Sequence, residues 1–210
     1  MIQKLQKYFD ASGVVLLVSN ILPLLCVLFL DWQVFFLIAL YWMENVIIGL
    51  LNIVRFFTIL IRNQAWDAIL MIPFFTVHYG MFTGVHGVFV IALFGEEVQK
   101  TGDGLLAVLP AILDTPGMKV AAIGFLTSHL FSYFYHFLGR EEYRKATTQT
   151  LMSAPYKRVI ILHLTILFGG FLVMSTGESI LALVLMVVIK IVLDLWGHVK
   201  EHHRPAGVKD

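Results

Sequence analysis

The strongest constraint on this chain is a succession of six apolar stretches, over about 14–30, 33–55 (extending towards 62), 66–95, 118–138, 157–175 and 178–197. A bilayer core of ~30 Å takes roughly 20 residues of helix at ~1.5 Å per residue, so each stretch is long enough to cross or nearly cross. The breaks are polar: Asp31-Trp32, Arg62-Asn63-Gln64, the segment from Glu96 to Gly117, the charged stretch from Gly139 to Lys157, and Ser175-Thr176-Gly177. No stretch alternates with period two, so the expected spans are helices and not barrel strands. Hydrophobic residues make up 59% and charged residues 14% of the chain, against about 45–50% and 25% in soluble domains, more than a domain of this size can hide from water. The expected fold is all-α: one polytopic bundle over residues 1–210 with six transmembrane helices in the lipid bilayer.

Lys and Arg set the orientation. Lys4 and Lys7 precede the first span, Arg55 and Arg62 close the second, Arg140, Arg144, Lys145, Lys157 and Arg158 lie between the fourth and fifth, and Lys200, Arg204 and Lys209 follow the sixth. Only Lys100 and Lys119 fall on the other side, which puts the N-terminus and C-terminus in the cytoplasm. Trp32, Trp66 and Trp196 then mark interfaces. Residues 1–12 read as an interfacial helix, and the short apolar run 105–113 as an outer interfacial or re-entrant segment. Gly80, Gly84 and Gly87 have the spacing that lets helices approach closely. A net charge of +1 argues against nucleic acid, and the lone Cys26 excludes a disulfide, a CxxC pair and a multi-thiolate metal site.

Ionisable groups inside the spans are costly, about 2.5–3.5 kcal/mol each on insertion scales, and this chain has many. The second span carries Glu44, Asn45, Asn52 and Arg55; the third, His78 and His86; the fourth, His129, Ser132 and His136; the fifth, His163; the sixth, Lys190, Asp194 and His198, with His202 beyond. Helical spacing puts Glu44, Ile48, Asn52 and Arg55 on one stripe, His129, Tyr133 and His136 on a second, and Lys190, Asp194 and His198 on a third. Counted from the nearest cytoplasmic marker, Glu44, His78, His129 and Lys190 come out at roughly 15–18 Å, close to one tier. Singly, each is explained by helix–helix hydrogen bonding; together they point to a common polar interior.

Imidazole with carboxylate suits a transition metal, Zn or Fe, with His78, His129, His163, Asp194 and His198 as ligand candidates. Asn45, Asn52, His86, Ser132, His136 and His202 are further candidates. In this reading Glu44 is the general base on a metal-bound water and Lys190 stabilises a developing anion. His198-Val199-Lys200-Glu201-His202-His203 has the HxxxHH spacing of membrane di-iron desaturases, without their other two boxes; Ser132-x3-His136 and Asp194-x3-His198 are loosely similar to ceramidase-like zinc sites. A rhomboid Gly-x-Ser-Gly is absent. Stacking of two haems does not fit, since the histidines of each pair stand only ~12 Å apart along their helices, but a single haem does.

The runs Tyr41-Trp42-Met43-Glu44-Asn45, Phe75-x2-His78-Tyr79-Gly80-x-Phe82-x3-His86, Ser128-His129-x2-Ser132-Tyr133, Leu162-His163 and Lys190-x3-Asp194-x3-His198-x2-Glu201-His202 cover the chain from the second span to the tail. In these the chain resembles a family of bacterial inner-membrane proteins known only as a domain of unknown function. The resemblance implies that Glu44, Asn45, His78, His86, His129, His163, Asp194, His198 and His202 occupy motif positions, and it sets His136 apart, where the family often has Asn.

Three functions remain open at this point. The leading one is a membrane-embedded metal-binding protein acting as an enzyme on a lipid or small hydrophobic substrate. A proton- or cation-coupled transport component and a structural or assembly subunit without metal are the alternatives. Oligomeric state, substrate and metal are open on sequence alone.

Overall fold

The computed structural model describes residues 34–95 and 116–156, together with 110, 112–114, 159–160, 162–164, 167–168, 171, 175 and 188. The interfacial helix, the first and sixth spans, and with them Lys190, Asp194, His198 and His202, lie outside the described residues. The chain divides into two compact units, residues 38–166 and residues 1–37 with 167–210. Of the second unit the structure describes the start of a helix, where the Phe35 and Phe36 rings meet edge to face at 5.2 Å.

The described residues are helical and include no strand. Helix α1 is Val34–Asn63 and α2 is Ala68–Phe94. A four-residue turn joins them: Gln64 adopts a left-handed conformation (φ 55°), and the Ala65 N–H returns to the Ile59 carbonyl at 3.3 Å. The hairpin is antiparallel. Phe56 packs on Phe75 near the turn, and Trp42 lies against Gly87 at the far end. Helix α3, Met118–Phe131, passes without a break into a π-helical segment, Ser132–Gly139. A 3₁₀ turn, Glu142–Lys145, and the short α4, Thr148–Ser153, follow.

Both α1 and α2 are long and apolar enough to cross a membrane. Only 22% of the apolar window in α2 is buried within the protein, whereas the core helix of a soluble domain would be mostly covered. Its covered stripe is Ala68, Phe75, Tyr79, Thr83, His86 and Val90, and its exposed face carries Leu70, Phe74, Val77, Met81 and Phe89. The covered stripe thus mixes apolar side chains with the polar Thr83 and His86, while the exposed face is rich in large apolar ones. An apolar exposed face suits a lipid solvent, in which polar groups must be satisfied internally.

The core of the larger unit gathers Phe56 and Ile59 of α1, Phe75 and Tyr79 of α2, Tyr133 and Phe137 of the π segment, and Tyr143, Leu151 and Val159 beyond it. The connection after the π segment is stapled to the hairpin. Asn63 donates to the Tyr143 carbonyl at 2.6 Å, and Thr148 donates to the Asp67 carboxylate. Thr147 opens α4 with a reciprocal capping box, its Oγ1 accepting from Thr150 N–H at 3.2 Å while Thr150 Oγ1 accepts from Thr147 N–H at 2.9 Å.

From there the chain climbs alongside α2, meeting Asp67 with Thr148, His78 with Tyr156 and His86 with His163. It thus runs parallel to α2. The same order relates α3 and its continuation to α1, through Glu44 with His129, Thr58 with Tyr133 and Asn63 with Tyr143. The sequence places 148–156 in a connection, because charges continue to Lys157. The structure instead packs Leu151 and Tyr156 against the hairpin. From Thr147 to Tyr156 there is no charged residue, which lets the climb start there.

Candidate functional site

The stripe Glu44, Ile48, Asn52 and Arg55 follows from helical spacing on α1, and these residues converge. Ile48, Asn52 and Arg55 line a cavity of about 190 Å³ whose other walls include His129, Ser132 and Pro155. Glu44 reaches the same wall: its Oε1 accepts from His129 Nε2 at 3.3 Å, with both side chains largely covered (11% and 19% exposed). Since a carboxylate accepts, Nε2 of His129 is the donor in this contact, and Nδ1 is the ring nitrogen left for another partner.

His129 lies in the last turn of α3, and Ser132 is the first residue of the π segment. Widening the helix to i→i+5 bonding there changes the angular spacing of side chains, a device often found at functional sites. Of the expected stripe of His129, Tyr133 and His136, the first two meet α1. His129 meets Glu44 and Tyr133 meets Thr58 at 2.8 Å, while the His136 ring stands edge-on to the neighbouring Tyr135 at 5.1 Å between centroids. Arg55 has its guanidinium carbon 5.4 Å from the centre of the Phe137 ring, a cation–π contact that fixes its height beside the cavity.

Asn52 is nearly inaccessible (2%) and donates to the Leu151 carbonyl at 2.9 Å, tying the cavity floor to the start of the climbing segment. Asn45 turns back on its own helix: Nδ2 donates to the Tyr41 carbonyl at 2.9 Å, and its main-chain carbonyl accepts from Tyr79 Oη at 3.0 Å.

The other described histidines on α2 and the climbing segment form two separate couples. His78 Nδ1 meets Tyr156 Oη at 2.5 Å. His86 Nδ1 lies 2.6 Å from the Phe82 carbonyl, which can only accept, so that nitrogen carries a proton. The neutral His86 ring then accepts at Nε2 from His163 Nδ1, 2.7 Å away. Between the two couples stands Phe82, stacked on His78 at 6.4 Å and on His86 at 4.8 Å between centroids.

The single tier expected from residue counting is not what the helices build. Helix α1 continues past Arg55 to Asn63. Glu44 therefore stands about 28 Å from the α1–α2 turn and His78 about 15 Å from it along their helices. Trp42, two residues from Glu44, donates to the Thr83 carbonyl at 2.8 Å, which sets this part of α1 beside the half of α2 remote from the α1–α2 turn. Among the described residues, no group of three His, Cys, Asp or Glu side chains is close enough to hold a metal ion. His78, His129 and His163 each have a different partner. Sequence reasoning missed Tyr156 as the partner of His78 and left Arg55 out of the site. The signal for Arg55 was its place on the Glu44 stripe; Tyr156 stands in the run Pro155-Tyr156-x-Arg158 ahead of Leu162-His163, which carries the family resemblance but does not name His78 as its partner.

The fold and site define an all-helical protein with at least two helices able to cross a membrane and a buried acid–imidazole pair beside a cavity. The chain belongs to DUF6498, a family of unknown function, which it matches over residues 3–209. Neither curated proteins nor solved structures include a match to it.

Proposed function

We propose that this is a six-span protein of the bacterial inner membrane, with both termini in the cytoplasm, that carries out acid–base chemistry on a lipid or other membrane-partitioned substrate at Glu44 and His129. The topology is supported by the parallel course of α1 with α3, as the second and fourth crossings, and of α2 with 148–163, as the third and fifth. The distribution of Lys and Arg supports the same orientation.

One observation carries the chemistry. Glu44 holds His129 at 3.3 Å in the wall of a cavity also lined by Asn52, Arg55 and Ser132. Glu44 orients the ring and fixes its tautomer, Nδ1 acts as the base, and removal of bulk water strengthens the coupling between the two. Transport through a continuous relay is less well supported, since Phe82 separates the two couples on α2.

A metal-dependent form of the same site is the second reading. Metal-bound histidines commonly give their other N–H to a carboxylate, as His129 does to Glu44. Zinc or iron would then be held through Nδ1 and would supply Lewis-acid activation of water there.

Nitrogen NMR of His129 in nanodisc-embedded protein tests the acid–base reading. A ring carrying a proton on Nε2, with its nitrogen chemical shifts changed by Glu44→Gln, is the expected result; a ring indifferent to Glu44→Gln overturns it. Metal at one equivalent per chain in undepleted protein, lost with His129→Ala, would select the second form.

A further inference from the structure

We propose that Ser132 is the nucleophile of this site, with His129 as its general base and Glu44 as the group that positions the ring, and that the substrate is a neutral, membrane-partitioned carboxylic ester. This rests on the acid–base reading above and adds to it a covalent step and a substrate class. Ser132 and His129 both line the cavity. They stand three residues apart where α3 passes into the π segment, a spacing that puts two side chains on one side of a helix. Ser132 itself keeps helical backbone angles (φ −59°, ψ −41°) and gives its N–H to the Ser128 and His129 carbonyls, so that spacing still holds at this point.

The two nitrogens of His129 serve different helices. Nε2, at the far tip of the ring, reaches across to Glu44 on α1 at 3.3 Å. Nδ1 lies next to Cγ, nearer the helix that carries it, and is the nitrogen left for a neighbour one turn away. The Ser132 hydroxyl is available as that neighbour. Thr58, Thr76 and Thr127 each donate the hydroxyl to the carbonyl four residues back, at 2.9, 2.7 and 2.8 Å, a common way of satisfying a hydroxyl within a helix. Among the described residues the Ser132 hydroxyl has no such bond, and it borders the cavity instead. A serine spared from back-bonding beside an imidazole held by a carboxylate is the arrangement that activates a hydroxyl for attack.

In the first step Ser132 Oγ bonds to the ester carbonyl carbon as its proton passes to His129 Nδ1. The carbon–oxygen bond to the alcohol breaks, the departing oxygen takes that proton from Nδ1, and an acyl-serine remains. Water, giving a proton to the same nitrogen, then attacks the acyl carbon, which releases the carboxylic acid and restores the Ser132 hydroxyl. The ligand class follows from the walls. Glu44 is engaged with His129, and Arg55 stands over the Phe137 ring. The charges there already have partners within the protein, so an uncharged polar group is the better occupant. A volume of about 190 Å³ is below the ~300–1,000 Å³ typical of pockets for whole drug-sized molecules. It admits the ester and the atoms next to it, and leaves long hydrocarbon chains against the exposed apolar faces of the helices.

An alkyl fluorophosphonate tests the nucleophile, because an activated serine displaces its fluoride and keeps the phosphonyl group. Full-length protein in nanodiscs should gain one such group per chain, read by intact mass and mapped by peptide fragmentation to Ser132. Ser132→Ala should abolish the adduct, and His129→Ala should slow its formation at least a hundredfold. Glu44→Gln should slow it at least tenfold, with Glu44→Asp recovering part of the rate, as a positioning role requires. No adduct on Ser132, or labelling of Ser132 at the parent rate in His129→Ala, overturns the proposal. Should Ser132→Ala fail to fold, the peptide map of the parent protein decides, since a phosphonyl group found only on another serine counts against Ser132. For the substrate class, p-nitrophenyl butyrate should be hydrolysed by the parent and not by Ser132→Ala; equal hydrolysis by both, or none by either, overturns the ester assignment. Nitrogen shifts of His129 that still answer to Glu44→Gln, in a protein whose Ser132 takes no phosphonyl group, would leave the acid–base reading standing and this proposal refuted.

Discussion

Replacing Gly87 by alanine tests the packing that brings the Glu44 end of α1 against α2. A Cβ at Gly87 would lie 2.8 Å from Cε2 and Cζ2 of Trp42 and 3.0 Å from its Nε1. Carbon atoms pack at about 3.5–4.0 Å, so the indole or the helix must retreat by close to 1 Å. The indole is not at liberty to do so, because its Nε1 donates to the Thr83 carbonyl at 2.8 Å. Overpacking costs about 1–3 kcal/mol and loss of that bond about 0.5–1.5 kcal/mol, while alanine returns about 1 kcal/mol of helix propensity. The net expectation is a loss of roughly 1–3 kcal/mol, or a melting point lower by about 2–12 °C for a chain of this size. At Gly84, on the same helix, an added Cβ would meet no described atom within 4 Å, so Gly84→Ala serves as the control and should melt at or above the parent. Thermal unfolding of the three proteins in one detergent decides it. If Gly87→Ala melts with the parent, or Gly84→Ala falls as far as Gly87→Ala, the assigned α1–α2 contact is wrong.

Three further outcomes are expected. Asn52→Leu removes the donor to the Leu151 carbonyl and should cost about 1–2 kcal/mol, with faster amide exchange over 148–156; unchanged exchange there would contradict the docking of this segment on α1. Thr147→Ala loses the capping box of α4 and should cost about 1 kcal/mol, with Thr147→Ser restoring most of it in the same denaturation assay. His163→Ala leaves the buried His86 Nε2 without its partner and should lower stability by about 1–3 kcal/mol, read by thermal unfolding in detergent; a variant as stable as the parent would show that the two rings do not depend on one another.

Helix positions were legible because apolar runs end where charge begins: α1, α2, and α3 with its π segment lie on the second, third and fourth runs. The Glu44–Asn52–Arg55 stripe was legible because spacing alone fixes which residues share a side. What the sequence hid has physical causes. Arg55 reads as the end of a span by its charge, yet α1 runs on to Asn63, so every depth counted from it was displaced. The π segment changes the turn angle without any residue type that announces it, so α-helical spacing no longer counts the side chains beyond Ser132 correctly. Gly87 fulfils the expectation of close approach through Trp42, whereas Gly80 and Gly84 meet no described atom within 4 Å. Pairing between histidines depends on which helices are neighbours, and spacing within one helix carries no information about that.

The three histidine couples differ in a way that bears on chemistry. His78 with Tyr156 and His86 with His163 join groups that are neutral in their ordinary forms, so each satisfies its polar atoms without placing charge in an apolar surrounding. Of the three, His129 is the one joined to an acid. Such a couple can hold its shared proton on either partner, Nε2 donating to a carboxylate in one form and a carboxyl donating to Nε2 in the other. A proton is most easily moved where two such forms are close in free energy. This couple also borders the cavity, which is where a ligand could tip the balance.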